Sequence, residues 1–225
     1  MNYEEAKKKL EKYGQEHVLK YYEELSEKEQ AELLAQIEAT DMEILSLCNK
    51  GTEAVKGKIT PLSAMELTEI EAKREEYEKI GIQAIREGKV GAVLLAGGMG
   101  TRLGSDDPKG MYNIGLTKDV YIFERIVSNL LDVTDKTGAY LPLYVMTSDK
   151  NHEKTVAFFE SKNYFGYDKD YVTFFKQEMA PAADYNGKIY MEAKGKMSTS
   201  PNGNGGWFAS MARTGVLDKI HEAKV

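Results

Sequence analysis

The first ninety residues carry apolar side chains at helical rather than strand spacing. Over residues 3–25, Leu10, Tyr13, Val18, Tyr21, Tyr22 and Leu25 form an irregular apolar stripe on a charged segment, which predicts helix. Ser26-Glu27-Lys28-Glu29 has the capping-box pattern, in which hydroxyl and carboxylate each satisfy an orphan backbone N–H. Leu33, Leu34 and Ile37 fall on one face of the helix expected after it. Asp41 is placed to cap a short helix that carries Ile44, Leu45 and Cys48 and stops near Gly51. Residues 51–60 read as a loop and Pro61 as a first-turn proline. Residues 67–85 read as one long charged helix with Ile70, Tyr77, Ile80 and Ile85, ended by Gly88.

At residue 90 the pattern changes. Val90-Gly91-Ala92-Val93-Leu94-Leu95-Ala96 is apolar and bounded by glycines, as expected of a strand buried on both faces. Residues 119–131 return to helical spacing through Ile122, Ile126, Val127 and Leu130. A second buried strand is expected over 143–147, a short helix over 152–162 and a third strand over 171–176. Residues 189–193 offer an additional edge strand, Gly203–Gly206 a tight turn and 207–217 a last helix. Strands alternating with helices imply βαβ units and a parallel sheet. The expected organisation is a helical region over 1–88 followed by a nucleotide-binding α/β core over 89–225.

Composition narrows the class. A chain of 225 residues with 42% hydrophobic and 29% charged residues is globular rather than fibrous or disordered. No apolar run approaches the length of a spanning helix, and MNYEEAKKKLEKYG has no apolar leader core, so a cytoplasmic protein without a membrane partner is expected. Cys48 is the single cysteine, which excludes a disulfide framework and a thiolate metal cage. A net charge of −6 argues against nucleic acid as a partner. The acidity is concentrated in residues 1–88, which hold 13 Lys+Arg and 20 Asp+Glu, whereas 89–225 hold 17 and 16. That nearly neutral segment suits a binder of a small anion.

The candidate chemistry lies where the first expected strand ends, in Leu94-Leu95-Ala96-Gly97-Gly98-Met99-Gly100-Thr101-Arg102-Leu103-Gly104 followed by Pro108-Lys109-Gly110. A glycine-dense turn leaving a buried strand lets the backbone approach a ligand and aim N–H groups at oxyanions. Arg102 adds a planar, permanently charged fork for phosphate, and Lys109 a compact second cation. The P-loop pattern fails, because no glycine here is followed directly by lysine. The dinucleotide fingerprint fails too: Gly98, Gly100 and Gly104 give G-x-G-x-x-x-G, with Asp119 a decoy ribose acid, which weighs against a nicotinamide-binding dehydrogenase. His17, His152 and His221 lack metal-type spacing, Asp106, Asp107, Asp149 and Asp184 read as loop acids, and Cys48 reads as a core thiol, so no metal ligand is assigned.

The run Leu95–Gly104 with Pro108-Lys109-Gly110 resembles the signature of the UDP-sugar pyrophosphorylases, specifically their UDP-N-acetylhexosamine branch. The similarity continues in Met146-Thr147-Ser148, in Phe174-Phe175-Lys176-Gln177-Glu178-Met179-Ala180-Pro181 and in Pro201-Asn202-Gly203-Asn204-Gly205-Gly206, in the family's order. The resemblance implies part of a Rossmann-like (GT-A-like) nucleotidyltransferase α/β/α sheet behind an N-terminal helical subdomain. It implies a uridylyltransferase joining UTP to an N-acetylhexosamine 1-phosphate, releasing pyrophosphate with Mg²⁺. Leu95, Ala96, Gly97 and Gly98 would hold the uridine, Arg102 and Lys109 the triphosphate, Gln177 and Gly203 the uracil, and Asn204 the acetamido group. A Gln amide matches the imide edge of uracil and rejects cytosine by leaving a buried polar group unpaired. The sugar phosphate is already an oxyanion, so positioning and charge neutralisation should suffice, and loss of Arg102 should cost at least about 10²-fold, roughly 3 kcal/mol. Asn204 offers both donor and acceptor to an acetamido group, against the plainer reading of a residue tolerating a left-handed turn. Lys176 and Trp207 sit in matching motifs without an assigned role.

Family members are longer, and their metal-binding acid, a further phosphate-binding lysine and much of the sugar pocket lie beyond the region matching residue 225. The expectation is therefore an N-terminal portion, ending at Lys224-Val225 on the approach to another strand, with an unpaired sheet edge and inactive by itself. A UDP-glucose enzyme and a non-catalytic nucleotide-binding module are the competing readings.

Overall fold

The computed structural model describes residues 1–47 and 57–222. In chain order its helices are α1 (Tyr3–Lys12), α2 (Glu27–Ala39), α3 (Leu67–Ala72), α4 (Arg74–Arg86), α5 (Ile122–Thr137), α6 (His152–Ser161), α7 (Trp207–Arg213) and α8 (Val216–Glu222). Its strands are β1 (Ala92–Leu95), β2 (Leu143–Thr147), β3 (Val172–Lys176), β4 (Met179–Pro181), β5 (Met191–Ala193), β6 (Lys196–Met197) and β7 (Thr199–Pro201). The expectations for Cys48, for a stop near Gly51, for a loop over 51–56, for the His221 side chain and for Lys224-Val225 lie outside the described residues.

Two compact units emerge, and a single cut near residue 88 does not separate them: one comprises Met1–Thr60 with Met179–Asn202, the other Pro61–Glu178 with Gly203–Val225. The reason is visible in two glutamines. Gln15, 3% exposed, donates to the Gly187 carbonyl at 2.7 Å and accepts from Ile189 N at 3.0 Å. Gln36 bonds both backbone groups of Met197 at 2.9 Å. Residues 187–197 are thereby held to the helices of the first unit, and Ile189 and Met197 join its core with Ala6, Leu10, Leu33 and Ile37.

Within that unit the capping box at Ser26 forms as expected, Ser26 N bonding Glu29 at 2.8 Å. The helix expected over 3–25 is shorter, because Gly14 adopts φ +66° and only 3-10 turns follow it. Asp41 caps a 3-10 turn, accepting from Glu43 N at 2.9 Å, where a short helix was expected. Residues 191–193 pair antiparallel with β6 rather than edging the parallel sheet, and β4 pairs with β7, a contact between short strands that periodicity does not reveal.

The second unit holds a parallel sheet in the order β1-β2-β3. β2 is buried at every residue, as its apolar run requires. Leu143 and Val145 meet Phe123, Val127 and Phe159 of α5 and α6. Tyr144 and Met146 meet Phe175, Met211 and Val216 on the opposite face, covered by α7 and α8. β1 departs from expectation. Ala92 and Leu94 pack toward α5, but Val93 and Leu95 remain 38% and 40% exposed, because that face of β1 has no cover among the described residues. Pro61 precedes the helix instead of opening it, and residues 67–85 split at Lys73 (φ −113°, ψ 14°) into α3 and α4. The helix expected over 119–131 starts later and runs on to Thr137, and the last helix is divided by Gly215 at φ +72°.

Candidate nucleotide-binding site

The parallel sheet directs three exits toward one end, where ligands bind in open α/β folds. Ala96 N bonds the Met146 carbonyl at 2.7 Å, extending the β1–β2 ladder by one residue. Gln177 N does the same for β3 by bonding the Thr147 carbonyl at 2.7 Å. Beyond Ala96 the chain bends through Gly97, Gly98 and Met99. Lys109 N donates to Gly98 O at 3.2 Å and Gly100 N to Asp107 O at 2.8 Å, which closes the bend on the Pro108-Lys109-Gly110 segment. Gly110 is required there, since a β-carbon would run into the Phe123 ring. Among the described residues, the N–H groups of Gly97, Gly98 and Met99 make no hydrogen bond.

A cleft of about 280 Å³ opens against this bend, lined by Leu95, Ala96, Gly98, Lys109, Gly110 and Asn204 over a floor of Leu94, Ile122, Phe123 and Ile126. Four of the residues singled out from the sequence thus meet in one cleft with Asn204. Gln177 approaches from β3. It is 7% exposed, its side-chain amide has no partner among the described residues, and the amide lies where a β-carbon of Gly97 would be, with Cδ at 2.9 Å from that position. Glycine at 97 is therefore a packing requirement of Gln177. The segment after Gln177 is anchored to α7, with Glu178 N bonding Ser210 Oγ at 3.0 Å and Arg213 pairing Glu178 at 2.9 Å.

The cations are uncommitted. Arg102 and Lys109 form no ion pair among the described residues, whereas nearby Lys154 pairs Asp107 at 2.9 Å and Lys176 pairs Asp149 at 3.2 Å. Lys109 lines the cleft; Arg102 stands exposed in the 3-10 turn Thr101–Leu103, outside the lining. Gly203 takes φ +83°, so the left-handed position belongs to it and not to Asn204, which leads a 3-10 turn into α7. No group of three or more His, Cys, Asp or Glu among the described residues could hold a metal ion. No described helix is long and apolar enough to cross a membrane.

Sequence reasoning assigned no role to Thr147, Asn151 or His152. Thr147 Oγ1 donates to Phe175 O at 3.1 Å and lies 2.7 Å from His152 Nδ1, which then donates to it. Burial, with Lys176 adding to it, holds the His152 imidazole below its ordinary value. Asn151 is fully buried beneath the glycine bend. The Met146-Thr147-Ser148 motif marked the place, but polar residues in a βα loop carry no signal of what they bridge.

The profile of the family described as UTP–glucose-1-phosphate uridylyltransferase matches residues 7–223. The chain is 37% identical over 231 residues to UDP-N-acetylglucosamine diphosphorylase 2 of Arabidopsis thaliana, covering 94% of this chain and 46% of that protein. It is 35% identical to the UDP-N-acetylglucosamine pyrophosphorylase of Saccharomyces cerevisiae over 88% of this chain and 46% of that one. The uridine diphosphate N-acetylglucosamine pyrophosphorylase of Trypanosoma brucei, solved with an inhibitor, superposes with a TM-score of 0.74 at 29% identity over 97% of this chain and 48% of that one. The UDP-glucose pyrophosphorylase of Leishmania major shares the fold at 15% identity and a TM-score of 0.58. The chain spans about half the length of the curated relatives it matches. By this match along almost its whole length, the chain belongs to the UTP–glucose-1-phosphate uridylyltransferase family.

Proposed function

We propose that this chain binds UTP and belongs to a protein transferring uridylyl from UTP to an N-acetylhexosamine 1-phosphate. The observation that carries the reading is the Gln177 amide, without a protein partner among the described residues, pressed on Gly97 beside a bend whose N–H groups make no hydrogen bond among them. The amide keeps a path to solvent, so a ligand can reach it, and the donor–acceptor pair of a Gln matches a uracil edge. The free N–H groups, Lys109 and Arg102 would bind the triphosphate. A phosphate oxygen of the sugar phosphate attacks the α-phosphorus, the bond to the β-phosphate breaks, and pyrophosphate leaves with the electron pair. No proton need move, so alignment and charge neutralisation are the chain's contribution.

Asn204, open to the cleft and free of backbone strain, is the group we assign to the acetamido oxygen or N–H. The names of the relatives favour the N-acetylated sugar over glucose. Magnesium belongs to the proposal as a counter-ion of the triphosphate; none of the described residues is assigned to it, and no step is routed through it. A reducing, cytoplasmic setting is part of the same reading and is consistent with a chain holding one cysteine. The test is calorimetry of the chain with UTP, CTP and ATP, with pyrophosphate release measured on the whole protein to which the chain belongs, for N-acetylglucosamine 1-phosphate and glucose 1-phosphate. UTP is expected to bind at least tenfold more tightly than CTP. Equal affinities would overturn the role of Gln177, and release with glucose 1-phosphate alone would overturn the sugar assignment.

A further inference from the structure

Asn151 opens α6 and is fully buried. Its Oδ1 accepts from Ser148 N at 2.8 Å, within its own turn. Its Nδ2 reaches across the sheet end, donating to Ala96 O at 2.9 Å and to Gly98 O at 3.4 Å. A turn cap needs only the first contact; the other two tie the βα loop after β2 to the glycine bend after β1. In a trans peptide the carbonyl and the following N–H lie in one rigid plane and point in opposite directions, and there is no cis peptide bond among the described residues. Ala96 O shares its plane with Gly97 N–H, and Gly98 O shares its plane with Met99 N–H. Drawing both carbonyls onto Asn151 therefore turns both N–H groups the other way, and these are groups left without a partner in the bend.

We propose that Asn151 is the positioning residue that sets the glycine-rich bend for a triphosphate, by holding the Ala96 and Gly98 carbonyls inward. This rests on the nucleotide reading above, and its test is arranged so that the two can fail separately. Asn151→Asp keeps the acceptor for Ser148 N but puts a carboxylate oxygen against two carbonyls, whereas Asn151→Ala removes every contact. If Asn151 only caps its turn, the Asp variant behaves as wild type.

Two readouts are taken on the whole chain below its melting temperature. The first, independent of nucleotide, is tryptic cleavage after Arg102 relative to cleavage after Lys118. Both variants are expected to be cut after Arg102 at least tenfold faster than wild type. The second compares UTP affinity by calorimetry with uridine binding by saturation-transfer NMR. UTP should weaken at least tenfold and at least fivefold more than uridine, since the phosphates depend on the bend's N–H groups while the base keeps the Gln177 amide; a general loss of structure would lower both alike. Wild-type cleavage in the Asp variant overturns the inference whatever UTP does. Faster cleavage in a chain whose wild type binds no UTP leaves Asn151 holding the bend and removes the nucleotide reading instead. Should the Asp variant not fold, Asn151→Thr, with one donor in place of two, is expected to be cut at an intermediate rate, and wild-type cleavage there overturns the inference equally.

Discussion

Gly97→Ala isolates the contact between the glycine bend and Gln177. The added β-carbon would overlap the Gln177 amide nitrogen, with Cδ at 2.9 Å and Oε1 at 3.2 Å. Either the backbone shifts or the amide swings away. Overpacking that cannot relax costs about 1–3 kcal/mol. No hydrogen bond holds the amide among the described residues, so a distorted rotamer at roughly 0.5–1.5 kcal/mol is the cheaper response. The melting temperature should then fall by less than about 6 °C, at 2–4 °C per kcal/mol for a chain of this size. Binding should suffer more. Losing two amide–uracil hydrogen bonds, at about 0.5–1.5 kcal/mol each, removes roughly 1–3 kcal/mol, or 5- to 150-fold in UTP affinity. CTP, which does not use the contact, should be nearly unaffected, so selectivity collapses. Calorimetry with both nucleotides on wild type and variant measures this directly. A Gly97→Ala chain that keeps its preference for UTP would refute the reasoning, because the amide cannot stay in place beside that methyl group.

Lys109→Ala should weaken UTP by roughly tenfold and flatten the salt dependence of binding, while leaving uridine unaffected; an unchanged salt slope in calorimetry would contradict its role. Phe159→Ala should cost about 3–5 kcal/mol in urea unfolding, since this fully buried ring packs on Phe123, Tyr164, Phe165 and Phe174 at centroid distances of 5.0–6.2 Å; a loss below 1 kcal/mol would contradict that packing. His152 gives a pH signature. Its folded-state value lies below the ordinary 6.5, so its stabilising contribution is fully present above that pH and is lost as the pH falls below it. Thermal melts between pH 7 and 5.5 should decline more steeply in wild type than in His152→Gln, and identical slopes would count against the part-buried imidazole being held neutral.

How much was legible depended on whether the signal was local. The Ser26 cap and the β2 run declare themselves within five residues, because a capping box and a doubly buried strand each have a local cause. The bend after β1 was legible for the same reason, since glycines leaving an apolar strand mark a turn locally. Val93 and Leu95 were misjudged because apolarity states what a residue tolerates, not what neighbours it finds; α7 and α8 cover β2 and β3 and leave β1 bare on that side. The pairing of β4 with β7 and the glutamine bonds to residues 187–197 join positions far apart in the chain, and no periodic pattern reports them. Asn151 was hidden in another way. Its role depends on two carbonyls of a different segment, so an ordinary polar loop residue becomes informative only once the loops are adjacent in space.

The most direct measurement of whether the bend after β1 receives a triphosphate is an amide chemical-shift titration of ¹⁵N-labelled chain with UTP. The Gly97, Gly98 and Met99 N–H signals should move downfield together and saturate with one apparent affinity, as free donors acquire oxyanion partners. Saturable UTP binding that leaves those three signals in place, with shifts elsewhere, would contradict it.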